Sequence, residues 1–414
     1  MKRCRGVACL FLAALAVLPP HAAVQAQRQP VGETFEVLSE SLPPPYATPA
    51  AGNMARRVAR PDFVTLALPP GFKANAFATG LDDARNLLVA PNGDVLVAES
   101  GSGRITLLRD TDGDGVADVK SALASGLSRP HGMALHDGWL YVGEPGQVVR
   151  LPYRPGDLKA GGQAQPFTPP ESLGSRIGNH WTRNILFSPD GRSLYVSVGS
   201  RSNTAEDPLP HASIQRFDAD GGRQATYASG TRNPVGLAFN PATGQLWATV
   251  VERDGLGDRL PPDFLTRIVA GGFYGWPYAY AGTHPDPKFG SKRPDLVQQS
   301  ILPDILFQAH STPLGLVFYD GTMFPPDFRG DAFVSLHGSW NAAAPTGYMV
   351  ARVRFRNGEP AGRGYETFAS GFWLLGSEPA RVWGRPVGLA VAADGALLIA
   401  DDVSNSIWRV SYKR

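Results

Sequence analysis

One pattern returns six times along this chain: a polar entry segment, a short apolar strand, a turn built on Asp-Gly or an equivalent, and a second apolar strand. The copies are ARNLLVAPNGDVLVAE (84–99), RPHGMALHDGWLYVGE (129–144), TRNILFSPDGRSLYVSVG (182–199), RNPVGLAFNPATGQLWATV (232–250), TPLGLVFYDG with GDAFVSLHGSW (312–340), and RPVGLAVAADGALLIAD (385–401). Each turn joins two strands closely, and the apolar residues alternate or run continuously, as in sheets packed face to face. Further strands follow the copies, among them RITLLRD (104–110) and SIWRVSY (406–412). A four-stranded sheet cannot bury both faces alone, whereas six arranged radially bury them against one another and leave only short edges. The expected fold is therefore all-β, a six-bladed β-propeller of four-stranded antiparallel blades over residues 61–414. An early strand near Phe63 to Phe77 is expected to complete the last blade by pairing with the C-terminal one.

Upstream, residues 27–60 are rich in Pro, Ala and polar residues, with no sustained period of 2 or 3.6, and read as an extended arm or linker. Residues 1–26 run from a basic start (Lys2, Arg3, Arg5) through an apolar stretch to a small-residue end, the pattern of a cleaved secretory signal. Its apolar run is short for a bilayer, and no later stretch is long enough for a membrane helix. The mature protein is thus expected to be secreted or periplasmic. Both cysteines, Cys4 and Cys9, fall inside the leader, so disulfides, thiolate chemistry, Cys-ligated metals and Cys-attached haem are excluded from the exported chain. Loss of three basic residues with the leader leaves about one net negative charge, which gives no footprint for nucleic acid.

In a propeller the loop entering each innermost strand points at the central channel. Polar residues gather there: Arg85, Arg129 with His131, His180 with Arg183, Arg232 with Asn233, Ser311 with Thr312, and Arg385. Taken singly, such residues cap strand ends and satisfy backbone groups. Several converging arginines on a nearly neutral protein suit a small ligand bearing carboxylates, which Arg grips in paired hydrogen bonds.

The segments NHWTRNILFSPDGRSLYVSVG, YASGTRNPVGLAF, VERDG followed by IVAGGFYGWPY, HGSWN and GRPVGLAVAADGALLIADD, in this order over roughly residues 63–412, resemble the sorbosone dehydrogenase branch of the soluble glucose/sorbosone dehydrogenase family. The resemblance implies a six-bladed propeller that binds pyrroloquinoline quinone (PQQ) and Ca²⁺. It makes His180 the base that takes the substrate hydroxyl proton while hydride passes to the quinone, a task suited to an imidazole titrating near working pH. It further implies that Arg232 and Asn233 contact the cofactor, the arginine stabilising charge on the quinone oxygen. Arg385 and Arg129 would lie near the cofactor, and His337 would meet one of its carboxylates or serve only the HGSWN turn. Asp254 and Gly255 would offer backbone carbonyls to the cofactor's calcium. The chain departs from the sugar-oxidising branch at His337, Ser200 and Val235, where that branch has a lysine, an acid and a glutamine, so glucose itself is not implied.

Apart from these, DTDGDGVAD spaces Asp110, Asp112, Asp114 and Asp118 as calcium loops do, without the closing Glu; it reads either as a structural calcium loop or as a solvated acidic turn. His136 and His211 read as backbone-bonded residues, and Tyr274 as packing in the blade, with a second structural calcium site as the alternative. The leading expectation is an oxidoreductase acting on a sugar, sugar aldehyde or polyol and passing electrons to a separate cytochrome or quinone. A calcium-dependent propeller lactonase and a non-catalytic glycan- or protein-binding propeller are the other two readings.

Overall fold

A computed structural model describes residues 29–174 and 180–413; the expected leader, residues 1–26, lies outside them. Among the described residues the chain is all-β, with a single short α-helix, Pro294–Gln299. No helix is long and apolar enough to cross a membrane among the described residues. Six sheets hold four or five strands each among the described residues, and their innermost strands are Ala84–Val89, Met133–His136, Ile185–Phe187, Asn233–Phe239, Pro313–Phe318 and Pro386–Val391. All are antiparallel apart from one short parallel pairing, of Ala228 and Ser229 with Gly272 and Phe273, at the rim of the third sheet.

The repeated Pro-x-Gly at the inner strands has a geometric cause. A Cβ on Gly132 would meet the backbone of Asn184 and Ile185, one on Gly236 the carbonyl of Leu314, one on Gly315 the carbonyl of Val387, and one on Gly388 the carbonyl of Arg85. Each glycine lets its strand lie directly on the innermost strand of the following sheet, and the last lies on the first, so the inner strands close a ring. The sheets are the blades of a β-propeller.

Burial follows the same radial logic. The apolar clusters lie between neighbouring sheets: Leu96 with Leu140 and Val142, Tyr141 with Leu194 and Phe217, Ile214 with Leu246 and Phe264, Trp247 with Phe318 and Val334, Phe333 with Leu397 and Trp408, and Leu87 with Leu398 and Ile407. Second strands such as Val95–Glu99 and Leu397–Asp401 are therefore buried at every position, which is why they read as continuous rather than alternating apolar runs. The ring closes at Phe72–Ala78, which overlaps the expected window and pairs antiparallel with Ser406–Tyr412.

The segment before the first blade packs along the propeller. Thr34–Glu36 adds a fifth strand to the fifth sheet against Gly364–Glu366, and Arg56–Arg57 pairs with Arg381–Val382. Register shifts at the start of four inner strands, for example between Pro234 and Leu237 and between Pro386 and Leu389, displace the entry residues from the regular pleat.

Candidate active site

Over one mouth of the ring the entry loops enclose a cavity of about 370 Å³. Its lining includes His180, Arg232, Asn233, Asp254, His337 and Arg385, brought together from four different sheets and their loops.

His180 is held in one tautomer. Its Nδ1 lies 2.9 Å from both the carbonyl oxygen and the Oγ of Ser200, and that hydroxyl donates to the carbonyl of Ser202 at 2.7 Å. Both Ser200 atoms are therefore acceptors, Nδ1 carries the proton, and Nε2 keeps its lone pair. Ser200 thus takes the orienting part that an acid would otherwise play. Burial, with Arg232 and then Arg183 nearby, pushes the imidazole down to about 3, so it stays neutral at working pH. The close approach depends on Gly199, where a Cβ would overlap both His180 and Asn233. In the cofactor-free protein, NMR titration of the His180 Cε1–H is expected to show no protonation down to about pH 4, in line with that depression; an inflection near the ordinary 6.5 would mean a solvated ring.

Arg232 is buried and ties several strand ends together. It donates to the carbonyls of Asn203, Val251 and Glu252 at 3.2, 3.2 and 2.6 Å and to Asn203 Oδ1 at 2.9 Å. Asn233 beside it has a buried Oδ1 with no hydrogen-bond partner among the described residues. Arg385 donates to the carbonyls of His337 and Gly338, and its Nη1 has no protein partner among the described residues. Arg129 is not among the cavity's lining residues; its guanidinium sits 4.0 Å from the ring centre of Trp181, next to His180, and forms no hydrogen bond or ion pair among the described residues.

His337 differs from what a carboxylate-binding role requires. Its Nε2 lies 3.0 Å from both oxygens of Asp402, which also pairs with Arg85. Burial would raise the Asp402 carboxyl, but His337 and Arg85 hold it far below the usual carboxylate range. The Nε2 proton is thus committed to Asp402, burial and Arg385 push the imidazole down to about 4, and Nδ1 is left as an acceptor.

The acidic side of the cavity is larger than the sequence motifs suggest. The Asp254 carbonyl, expected to face calcium, already accepts from Asn203 Nδ2 at 3.1 Å and Arg253 Nε at 3.2 Å. Gly255, with φ of +92°, turns the chain away and does not line the cavity. The Asp254 carboxylate does line it, 4.0 Å from Arg232. Glu252 and Asp263 line it too, pushed up to about 7 and about 6 by burial, and Glu252 Oε1 is buried without a partner among the described residues. A cation entering here would meet carboxylate oxygens rather than free main-chain carbonyls.

The family pattern described as TrAA12-like matches residues 66–259 and 293–413, most of the chain and every cavity residue named above except Asp263. The chain belongs to the TrAA12-like family.

Within curated proteins this TrAA12-like chain is 27% identical over 361 residues to an uncharacterized protein of Borreliella burgdorferi, covering 84% of this chain and 92% of that one. It is 25% identical over 397 residues to a pyrroloquinoline quinone-dependent sugar dehydrogenase of Hypocrea jecorina, covering 82% and 87%. The holo form of the pyranose dehydrogenase PQQ domain from Coprinopsis cinerea superposes with a TM-score of 0.71 at 19% identity, over 86% of this chain and 100% of that one. The PQQ-bound aldose sugar dehydrogenase from Streptomyces coelicolor gives 0.58 at 20% identity, over 84% and 100%. At such identities the solved structures share the fold.

Elsewhere, oxygens of Asp110, Asp112 and Asp118 lie within 4.8 Å of one another, whereas Asp114 is outside that group and accepts from the Val116 amide. Tyr274 is buried and donates to the Arg267 carbonyl at 2.6 Å, a packing role. His136 stacks on Phe187 and His211 bonds the Gly199 carbonyl. Sequence reasoning missed Glu252 and Asp263 as cavity groups and Asp402 as the partner of His337. The first stands in VERDG beside the singled-out Asp254, but nothing local marks it as buried.

Proposed function

We propose that this protein is an exported, six-bladed PQQ-dependent dehydrogenase of the sorbosone dehydrogenase type that oxidises a sugar, sugar aldehyde or polyol, with His180 as general base. The observation that carries the reading is the fixed tautomer: an uncharged imidazole with a free Nε2 faces a cavity that also holds donors. Bound in that cavity, PQQ would accept the hydride leaving the substrate carbon. His180 Nε2 takes the hydroxyl proton as the carbonyl forms. Arg385 Nη1 is the donor suited to the cofactor's carboxylates, with Arg232 and Asn233 beside it. Asp254 and Glu252 are the acidic oxygens suited to its calcium, and a cation there would relieve the buried charge of Glu252.

Cavity carboxylates are also what a calcium-dependent lactonase requires, and that second reading rests on Glu252, Asp254 and Asp263. Titration of metal-stripped protein with PQQ and calcium, followed by a panel of sugars, sugar aldehydes and polyols, separates the two. Calcium-dependent uptake of the quinone and substrate-driven bleaching of its absorbance are expected; hydrolysis of lactones without quinone uptake would favour the rival.

The Asp110 loop is assigned to stability. Asp110 accepts from the amides of Gly113 and Gly115, both at 2.8 Å, so Asp110→Ala leaves two amides to water. A cost of about 1 kcal/mol, hence a few degrees of Tm, is expected with turnover intact. If the loop binds calcium, the ion raises the Tm of the parent and not of the variant; if it is a solvated turn, calcium moves neither.

A further inference from the structure

Two large apolar side chains stand exposed at the mouth of the catalytic cavity: Trp340 with 46% and Met54 with 63% of its surface accessible, both lining the same space as His180. Exposed hydrophobic residues scattered over a surface need no explanation, but this pair is adjacent to a polar site and is held in place.

Trp340 is flanked on both sides by residues that are turned inward. Gly338, Ser339, Asn341 and Ala342 are all buried. The loop backbone is pinned by His337 N to the Thr312 carbonyl at 2.9 Å, Gly338 N to the Ser311 carbonyl at 3.0 Å and Ser339 N to the Thr346 carbonyl at 2.9 Å. The Asn341 side chain bonds Asp254 and His310. Among these five consecutive residues, 338–342, only Trp340 is exposed.

Met54 arrives from the other direction, on the arm that precedes the propeller. Asn53 fastens that arm to the Trp340 loop: its amide donates to the Trp340 carbonyl at 2.7 Å, and its Nδ2 to the carbonyls of Ala342, Ala343 and Ser377 at 3.1, 3.0 and 2.8 Å. One asparagine thereby makes four bonds that set the thioether and the indole at the same cavity mouth.

We propose that residues 53 and 54 of the arm, together with Trp340, form a substrate ledge: Met54 and Trp340 receive the carbon–hydrogen face of a sugar ring whose hydroxyl edge is turned to His180. The proposal rests on the sugar dehydrogenase reading and deepens it by assigning specificity to the arm. An indole face and a polarizable thioether suit a ring with one apolar face, whereas an acyclic polyol lacks that face. Met54 and Trp340 are specificity-determining residues, and Asn53 is a positioning residue.

The test uses the full mature chain loaded with PQQ and calcium, with glucose, xylose and cellobiose as cyclic probes and glycerol as the acyclic one. Met54→Asp, Trp340→Ala and Asn53→Ala are each expected to raise KM for the cyclic substrates about tenfold or more, with kcat changed less than threefold. KM for glycerol should stay put, and Met54→Leu and Trp340→Tyr should restore most of the loss. A second readout is independent of turnover: the 19F signal of 5-fluorotryptophan at position 340, identified by its disappearance in Trp340→Phe, should shift on adding cellobiose and shift less in Met54→Asp. Turnover with unchanged KM in all three variants would overturn the ledge and leave the dehydrogenase reading standing. If no sugar is oxidised, that reading falls, and the 19F titration alone decides the ledge: a shift supports it and an unmoved signal overturns it.

Discussion

Turnover of cofactor-loaded His180→Ala with an artificial electron acceptor is expected to fall by about 10²–10⁴-fold, the usual loss when a positioned general base is removed. Affinity for PQQ should change little, because the ring's one firm attachment is to Ser200 and its Nε2 carries no proton to donate to the cofactor. Absorbance titration and steady-state kinetics check the two halves separately. Ser200→Ala supplies the companion result. It removes the hydroxyl acceptor but leaves the carbonyl at 2.9 Å, so the tautomer persists and a milder loss of about tenfold or less is expected. A His180→Ala enzyme with undiminished turnover would remove the imidazole from the mechanism.

The second large effect is expected at Arg232. Its guanidinium satisfies three main-chain carbonyls and the Asn203 side chain in a buried setting, so Arg232→Ala leaves several acceptors without partners. Each unsatisfied buried group costs about 1–3 kcal/mol, and the charge that offsets Glu252, Asp254 and Asp263 disappears at the same time. We expect Tm to drop by several degrees, PQQ affinity to fall at least tenfold, and residual turnover to be slow. Arg232→Lys keeps the charge but lacks the planar fork needed to span these acceptors, and it should fall between the two. Differential scanning fluorimetry and quinone titration on the same preparations separate the structural from the cofactor-binding loss. Parent-like affinity in Arg232→Ala would confine this residue to scaffolding.

The architecture was readable because it is written in local chemistry. Turn residues such as Asn92-Gly93 and Pro189-Asp190-Gly191 alternate with apolar runs at strand length, and a unit that recurs along the chain demands neighbours of its own kind to bury its faces. The Pro-x-Gly signature could be seen in the letters, but its reason, a following blade whose backbone occupies the space of a Cβ, belongs to the packed ring. His180, Arg232, Asn233 and Arg385 were accessible for a related reason: entry loops of a propeller converge whatever their sequence separation.

Partnership could not be read in the same way. Asp402 is far along the chain from Arg85, and only closure of the ring makes it the partner of both Arg85 and His337, turning an expected carboxylate binder into an acceptor. The Asp254 carbonyl is taken by Asn203, which sits on a loop of the preceding blade. Met54 lies in a stretch without periodicity, where nothing local distinguishes a linker from a wall of the active site. By itself the sequence determined the repeat, the all-β class and the entry residues, because turn propensity and strand periodicity are properties of neighbouring residues. Which donor meets which acceptor, which carboxylates are buried, and which face of the arm reaches the cavity were decided only when strands distant in sequence closed into a ring and excluded water between them.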